Sequence, residues 1–162
     1  MIAGTDLAAR TMDPDDTLAF LAGELQSRFV RGPQDLQDHL LQMDESSDPD
    51  GRFRVTEFFC YENTWSHTLA ALLRRSDAIL MDLRGFSEKN SGCIFELKQL
   101  TTQQRLGDTV FVVDASSDLK LLESTLGAAG PEGSDITRLC LEKVESEASL
   151  ERERVYRSLC LR

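Results

Sequence analysis

The chain has 162 residues, 41% of them hydrophobic and 28% charged, which is enough apolar material for one full core and too much for a chain disordered throughout. Its formal net charge is −10, with acidic clusters at Asp13–Asp16, Asp44–Asp50 and Glu142–Glu153. A surface of that sign repels phosphate backbones and argues against nucleic acid as a partner.

No apolar run approaches the roughly 20 residues that cross a bilayer, so no membrane span is expected in this chain. The four cysteines, Cys60, Cys93, Cys140 and Cys160, are far apart, with no CxxC pair and no nearby histidine doublet, so neither a zinc site nor any other metal site is expected. Three of them sit within apolar runs, as small buried thiols do. With no signal peptide visible, this usage points to a reducing, cytoplasmic setting.

In chain order, residues 1–12 read as a flexible leader, and residues 13–162 as a single α/β domain with a helical part at 13–50 and a βα core at 53–162. Asp13-Pro14-Asp15-Asp16 is a helix start: an N-cap acid, proline at the first helical position and two acids at the positive end of the dipole. Leu18, Leu21, Leu25 and Phe29 follow at helical spacing and predict a helix of about 15 residues, stopped by Gly32-Pro33. The alternative for Leu25–Val30 is a first edge strand. Pro33 opens a second helix, with Leu36, Leu40 and Met43 on one face.

From Phe53 the rhythm changes. Phe53–Tyr61 is rich in aromatic and β-branched residues and predicts a strand. Trp65, Leu69, Leu72 and Leu73 mark a helix face, with Trp65 assigned to the core. Ala78–Leu83 predicts a strand, Cys93–Arg105 a helix, and Thr109–Ala115 a near-continuous apolar strand of the kind buried on both faces. Leu119, Leu122 and Leu126 line a helix, Gly127–Gly133 a loop, Ile136–Val144 a fourth strand, and Leu150–Leu161 a closing helix. Four alternations of strand and helix predict a three-layer α/β fold: a mostly parallel sheet of four strands, or five with Leu25–Val30, with helices on both faces.

In such a sheet the carboxyl ends of the strands share one edge, where ligands bind. That edge carries Asn63 after the first strand, Asp82 and Arg84 after the second, and Asp114 with Ser116 and Ser117 after the third. Ser91 and Gly92 open the helix that contains Glu96, and their backbone N–H groups suit an oxyanion. Each residue also has a plainer reading. Asp82 and Asp114 can cap the turns that follow them, Arg84 can pair with Asp82 or Glu88, Glu96 suits the helix dipole, and Cys93 can be a packing residue. His39 and His67 have no evident catalytic partners, and there is no GxGxxG or Walker-type loop.

The segment Asn90-Ser91-Gly92-Cys93-Ile94-Phe95-Glu96-Leu97 resembles two families. One is the Toll/interleukin-receptor (TIR) domain, whose W-C-x-x-E-L helix it matches with Gly92 in place of Trp. The other is the nucleoside 2-deoxyribosyltransferases, whose D-S-G-T-x-x-E helix start it matches with Asn90 for Asp and Cys93 for Thr. Lys98 stands where the transferases have glycine. Phe53 to about Leu126 is also similar to a cytosolic domain at the tail of uncharacterised bacterial membrane proteins, through Glu57-Phe58-Phe59-Cys60, Met81-Asp82-Leu83-Arg84 with Phe86, and Gly92-Cys93 with Glu96-Leu97.

The resemblance implies a TIR-like signalling or nucleotide-sensing module, with NAD or another nucleotide as ligand, self-association or a protein as partner, and tethering to a membrane protein in relatives. If the chain is an enzyme, it implies cleavage of the N-glycosidic bond of NAD or a nucleoside. Glu96 and Asp82 would then be the catalytic carboxylates, and Arg84, Ser91, Gly92, Asp114 and Asn63 the ligand-binding residues. Both families grip ribose and phosphate with a Gly- or Ser-rich loop after a first strand. Gly32-Pro33 after Phe29-Val30 is the one candidate for that loop here, and its absence as a Gly-rich element places a binding or signalling role ahead of catalysis.

Overall fold

The computed structural model describes residues 2–3, 18, 21–24, 26, 29–51, 55–129, 139–145 and 149–161. Among these the protein is α/β, with five helices and two parallel three-stranded sheets. By its internal contacts it divides into two compact units, residues 1–72 and 73–162.

In the first unit, β1 (Ile2–Ala3) and β2 (Phe29–Val30) flank β3 (Phe58–Cys60), both parallel to it. Two expectations change here. Ile2–Ala3, inside the segment read as a leader, pairs with Phe58–Phe59. Phe29–Val30 is a strand, so the helix read from Leu18 does not reach Gly32-Pro33. Leu18 and Leu21 do have helical backbone, joined by a bond from the Ala22 N–H to the Leu18 carbonyl, but both side chains are exposed. The pairing of Phe29 with Phe59 and of Val30 with Cys60 wins because it buries all four side chains, and Phe29 also stacks on Tyr61 with ring centroids 4.8 Å apart.

α1 (Pro33–Leu41) follows β2, with proline at its start and Asp35 accepting the Arg31 N–H at 2.9 Å. α2 (Glu62–Arg75) follows β3 without a loop. Its first turn is pinned by Thr64, whose hydroxyl accepts the Tyr61 N–H and donates to the Val30 carbonyl at 2.8 Å. Val30, Leu36, Phe58, Cys60 and Ala71 form the core, with Trp65 packed against it as expected. The strand read over Phe53–Tyr61 shortens to Phe58–Cys60; residues 52–54 lie outside the described set, and Val55 is exposed.

The second unit runs β4 (Ile79–Asp82), α3 (Ser91–Thr102), β5 (Thr109–Val113), α4 (Leu119–Ala129), β6 (Cys140–Lys143) and α5 (Ser149–Cys160). The strands lie in sequence order, all parallel. β5 is central and every residue in it is buried, as its unbroken apolar run predicts. α4 runs through Gly127 to Ala129, past the start of the loop expected there, and residues 130–138 lie outside the described set.

Register separates the two faces. Leu80 and Asp82 of β4 pair with Val110 and Val112 of β5, which pair with Cys140 and Glu142 of β6, so these residues share one face. On that face Glu142 accepts hydrogen bonds from Arg154 and Ser158, which places α5 over β6 and β5. Met81, Thr109, Phe111 and Val113 point to the other face, where Leu97 and Leu100 of α3 and Leu122 and Leu126 of α4 are fully covered. Two consecutive right-handed crossovers moving in one direction put α3 and α4 side by side there, and the two helices do pack on each other. No helix among the described residues is long and apolar enough to cross a membrane.

Candidate functional site

Asp82 closes β4, and Arg84 folds back on it. Arg84 Nε lies 2.9 and 3.1 Å from the two carboxylate oxygens and Nη2 lies 2.6 Å from Oδ2, while the Arg84 N–H adds a fourth bond to Oδ1. This two-pronged pairing is the strong form of an arginine–carboxylate contact. The Arg84 guanidinium holds the Asp82 carboxyl below the usual carboxylate range, against partial desolvation. Asp82, one of the two partners read for Arg84, is paired with it.

Asp114 closes off the next turn. Its Oδ1 accepts the Ser116 N–H and hydroxyl, the Ser117 hydroxyl and, across the turn, the Gly85 N–H at 3.2 Å. The Ser116 hydroxyl and the Gly85 amide lead in lowering its pKa to about 2. Ser117 also donates to the Leu83 carbonyl, and the Asp118 N–H to the Phe86 carbonyl. Gly85, at φ +70°, supplies the left-handed turn that brings these strands of chain together. Asp114 is thus built into the loops as a capping carboxylate.

Ser91 and Gly92 are exposed at the start of α3. Asn90 does not cap the helix with its side chain; its Oδ1 accepts the Ser87 N–H and hydroxyl and closes the preceding loop. Glu96 and Cys93 are half-buried one turn further on. Burial raises the Cys93 thiol pKa, and the Glu96 and Asp82 charges push it the same way. Cys93 is therefore the reverse of an activated thiolate, and Glu96 and Asp82 both act on it from the carboxyl end of this sheet.

A groove of about 440 Å³ opens beside α5. Leu80 and Val112 on the sheet, Val144 after β6, and Val155, Tyr156 and Leu159 on α5 line it, with Asp82, Arg84, Glu151 and Arg152 as its polar members. It exists because α5 covers β5 and β6 and leaves the β4 face bare: Leu80 is 51% exposed in mid-strand. Asp82 and Arg84 line this groove, and Glu96 does not. The signal in the sequence for these α5 residues is the Val155/Leu159 and Tyr156/Cys160 spacing on a helix otherwise rich in charge.

In the first unit Asn63 lines a shallow concavity with Arg31, Tyr61 and Glu62, at the carboxyl ends of β2 and β3. Arg31 there is paired with Asp35. Gly32-Pro33 lies at the turn between β2 and α1. Among the described residues no cluster of His, Cys, Asp and Glu is placed to hold a metal ion.

No family model matches the chain. Neither a curated protein nor a solved structure gives a significant match.

Proposed function

We propose that this chain is a TIR-like signalling or nucleotide-sensing module that binds without efficient catalysis. The observation that carries the reading is the state of Asp82. Its carboxylate is closed on Arg84 by three side-chain contacts of 2.6–3.1 Å, and the groove it lines does not include Glu96. Cleavage of a glycosidic bond by paired carboxylates needs both at one substrate, about 5–10 Å apart and free to exchange protons or attack. A carboxylate already neutralised by a bidentate arginine is a poor base and a poor nucleophile. The half-buried Glu96, whose charge helps raise the pKa of the Cys93 thiol, and the exposed Ser91 and Gly92 suit ligand contact and positioning.

The test is to incubate the protein with NAD and a panel of nucleosides and to follow both products and binding heat, with light scattering across concentration in parallel. The expected result is binding or self-association with no turnover above background. Turnover by the wild type that is lost in Glu96→Gln overturns this reading in favour of an N-glycosidic hydrolase or transferase. A protein that binds none of these ligands and stays monomeric at high concentration removes both.

A further inference from the structure

We infer that the groove between the β4 face and α5 is a binding site for an uncharged, largely apolar small molecule that does not involve Glu96. Its volume, about 440 Å³, lies within the roughly 300–1,000 Å³ of small-molecule pockets, and its composition follows their pattern of apolar walls with a few polar groups gathered at one end. The walls are aliphatic on the sheet side, with Leu80 and Val112, and aliphatic and aromatic on the helix side, with Val155 and Tyr156. The polar end sits at the carboxyl terminus of β4, the edge at which parallel sheets receive ligands.

Charge selects the ligand class. The polar end carries two acids, Asp82 and Glu151, and two bases, Arg84 and Arg152, so it sums to zero in a chain of net −10. Asp82 and Arg84 neutralise each other, and the Glu151 carboxylate accepts the Glu145 N–H. A charged ligand entering this groove loses hydration and meets a lining whose charges sum to zero, whereas an apolar one gains the burial of Leu80 and the Tyr156 ring. The wall is held in place beforehand: Glu142, largely covered, ties β6 to α5 through Arg154 and Ser158. The groove therefore has fixed walls, which lowers the entropic cost of occupation.

The experiment uses the full chain and two naphthalene probes. N-phenyl-1-naphthylamine is uncharged, and 8-anilinonaphthalene-1-sulfonate has a similar body with an anionic group. The uncharged probe is expected to show saturable, one-to-one, blue-shifted fluorescence, and the sulfonate to bind at least about tenfold more weakly. Leu80→Lys and Tyr156→Ala, both at exposed positions, are each expected to weaken the uncharged probe by about tenfold or more, with circular dichroism unchanged. Glu96→Gln is expected to leave it unaffected, so the result stands apart from the fate of the nucleotide reading. Absence of saturable binding, equal affinity for the sulfonate, or wild-type affinity in both groove variants overturns the inference. The comparison of the two probes is made on the wild type and holds even if a variant fails to fold.

Discussion

The backbone N–H of Gly85 donates to the carboxylate of Asp114, 29 residues further along the chain, at 3.2 Å. That bond joins the turn after β4 to the turn after β5. The same oxygen gathers the Ser116 and Ser117 groups, so one carboxylate fixes the shape of two loops at the carboxyl edge of the sheet.

This carboxylate contributes to the acid stability of the protein. Asp114 titrates at about 2 in the folded chain and near 3.9 when unfolded. A depressed folded value stabilises the fold above the unfolded pKa, and that contribution is lost as pH falls from about 4 to about 2. Urea unfolding across this range is expected to show falling stability in the wild type and a flatter profile in Asp114→Asn. Identical profiles would remove Asp114 as the clasp between the loops.

Arg105 is the second structural clamp. Its guanidinium donates to the carbonyls of Leu73 and Ser76 and pairs with Asp108 at 2.7 Å, with the side chain mostly covered. Those carbonyls belong to the end of α2 and the link that follows it, where helical partners run out. Arg105→Ala removes both of these partly buried bonds and the Asp108 pair, and is expected to cost about 2 kcal/mol in chemical denaturation. Arg105→Lys is expected to recover little, because a single ammonium cannot span the same acceptors.

Thiol chemistry provides a third check. Cys160 is exposed, Cys60 is buried, and Cys93 is half-buried with its pKa raised by burial and by Glu96. Iodoacetamide at neutral pH is expected to label Cys160 well ahead of Cys60 and Cys93, as read by peptide mass spectrometry. Early labelling of Cys93 would point to an activated thiol and to chemistry at the start of α3.

The elements that local pattern dictates were legible in the sequence. The unbroken apolar run of Thr109–Val113 announced a strand buried on both faces, and it is the centre of its sheet. The spacing of Leu119, Leu122 and Leu126 announced α4, and Pro33 the start of α1. The parallel α/β class followed from the alternation alone, because each signal depends on neighbours a few residues away.

What sequence could not decide depends on partners distant in the chain. Phe29 and Val30 fit a helical stripe equally well, and they are a strand because Phe59 and Cys60 lie alongside to pair with them. Asp82 and Asp114 look alike at their strand ends, yet one closes on an arginine two residues away and the other on an amide 29 residues away. Leu80 reads as an ordinary core residue of a strand. It is half exposed because α5 lies over β5 and β6 and stops short of β4. Sequence determined the strands and helices whose pattern is local, such as β5, α1 and α4. Tertiary packing alone decided that Asp114 clasps a loop 29 residues away and where an apolar face was left uncovered, since both depend on which distant groups compete for the same space and the same hydrogen bonds.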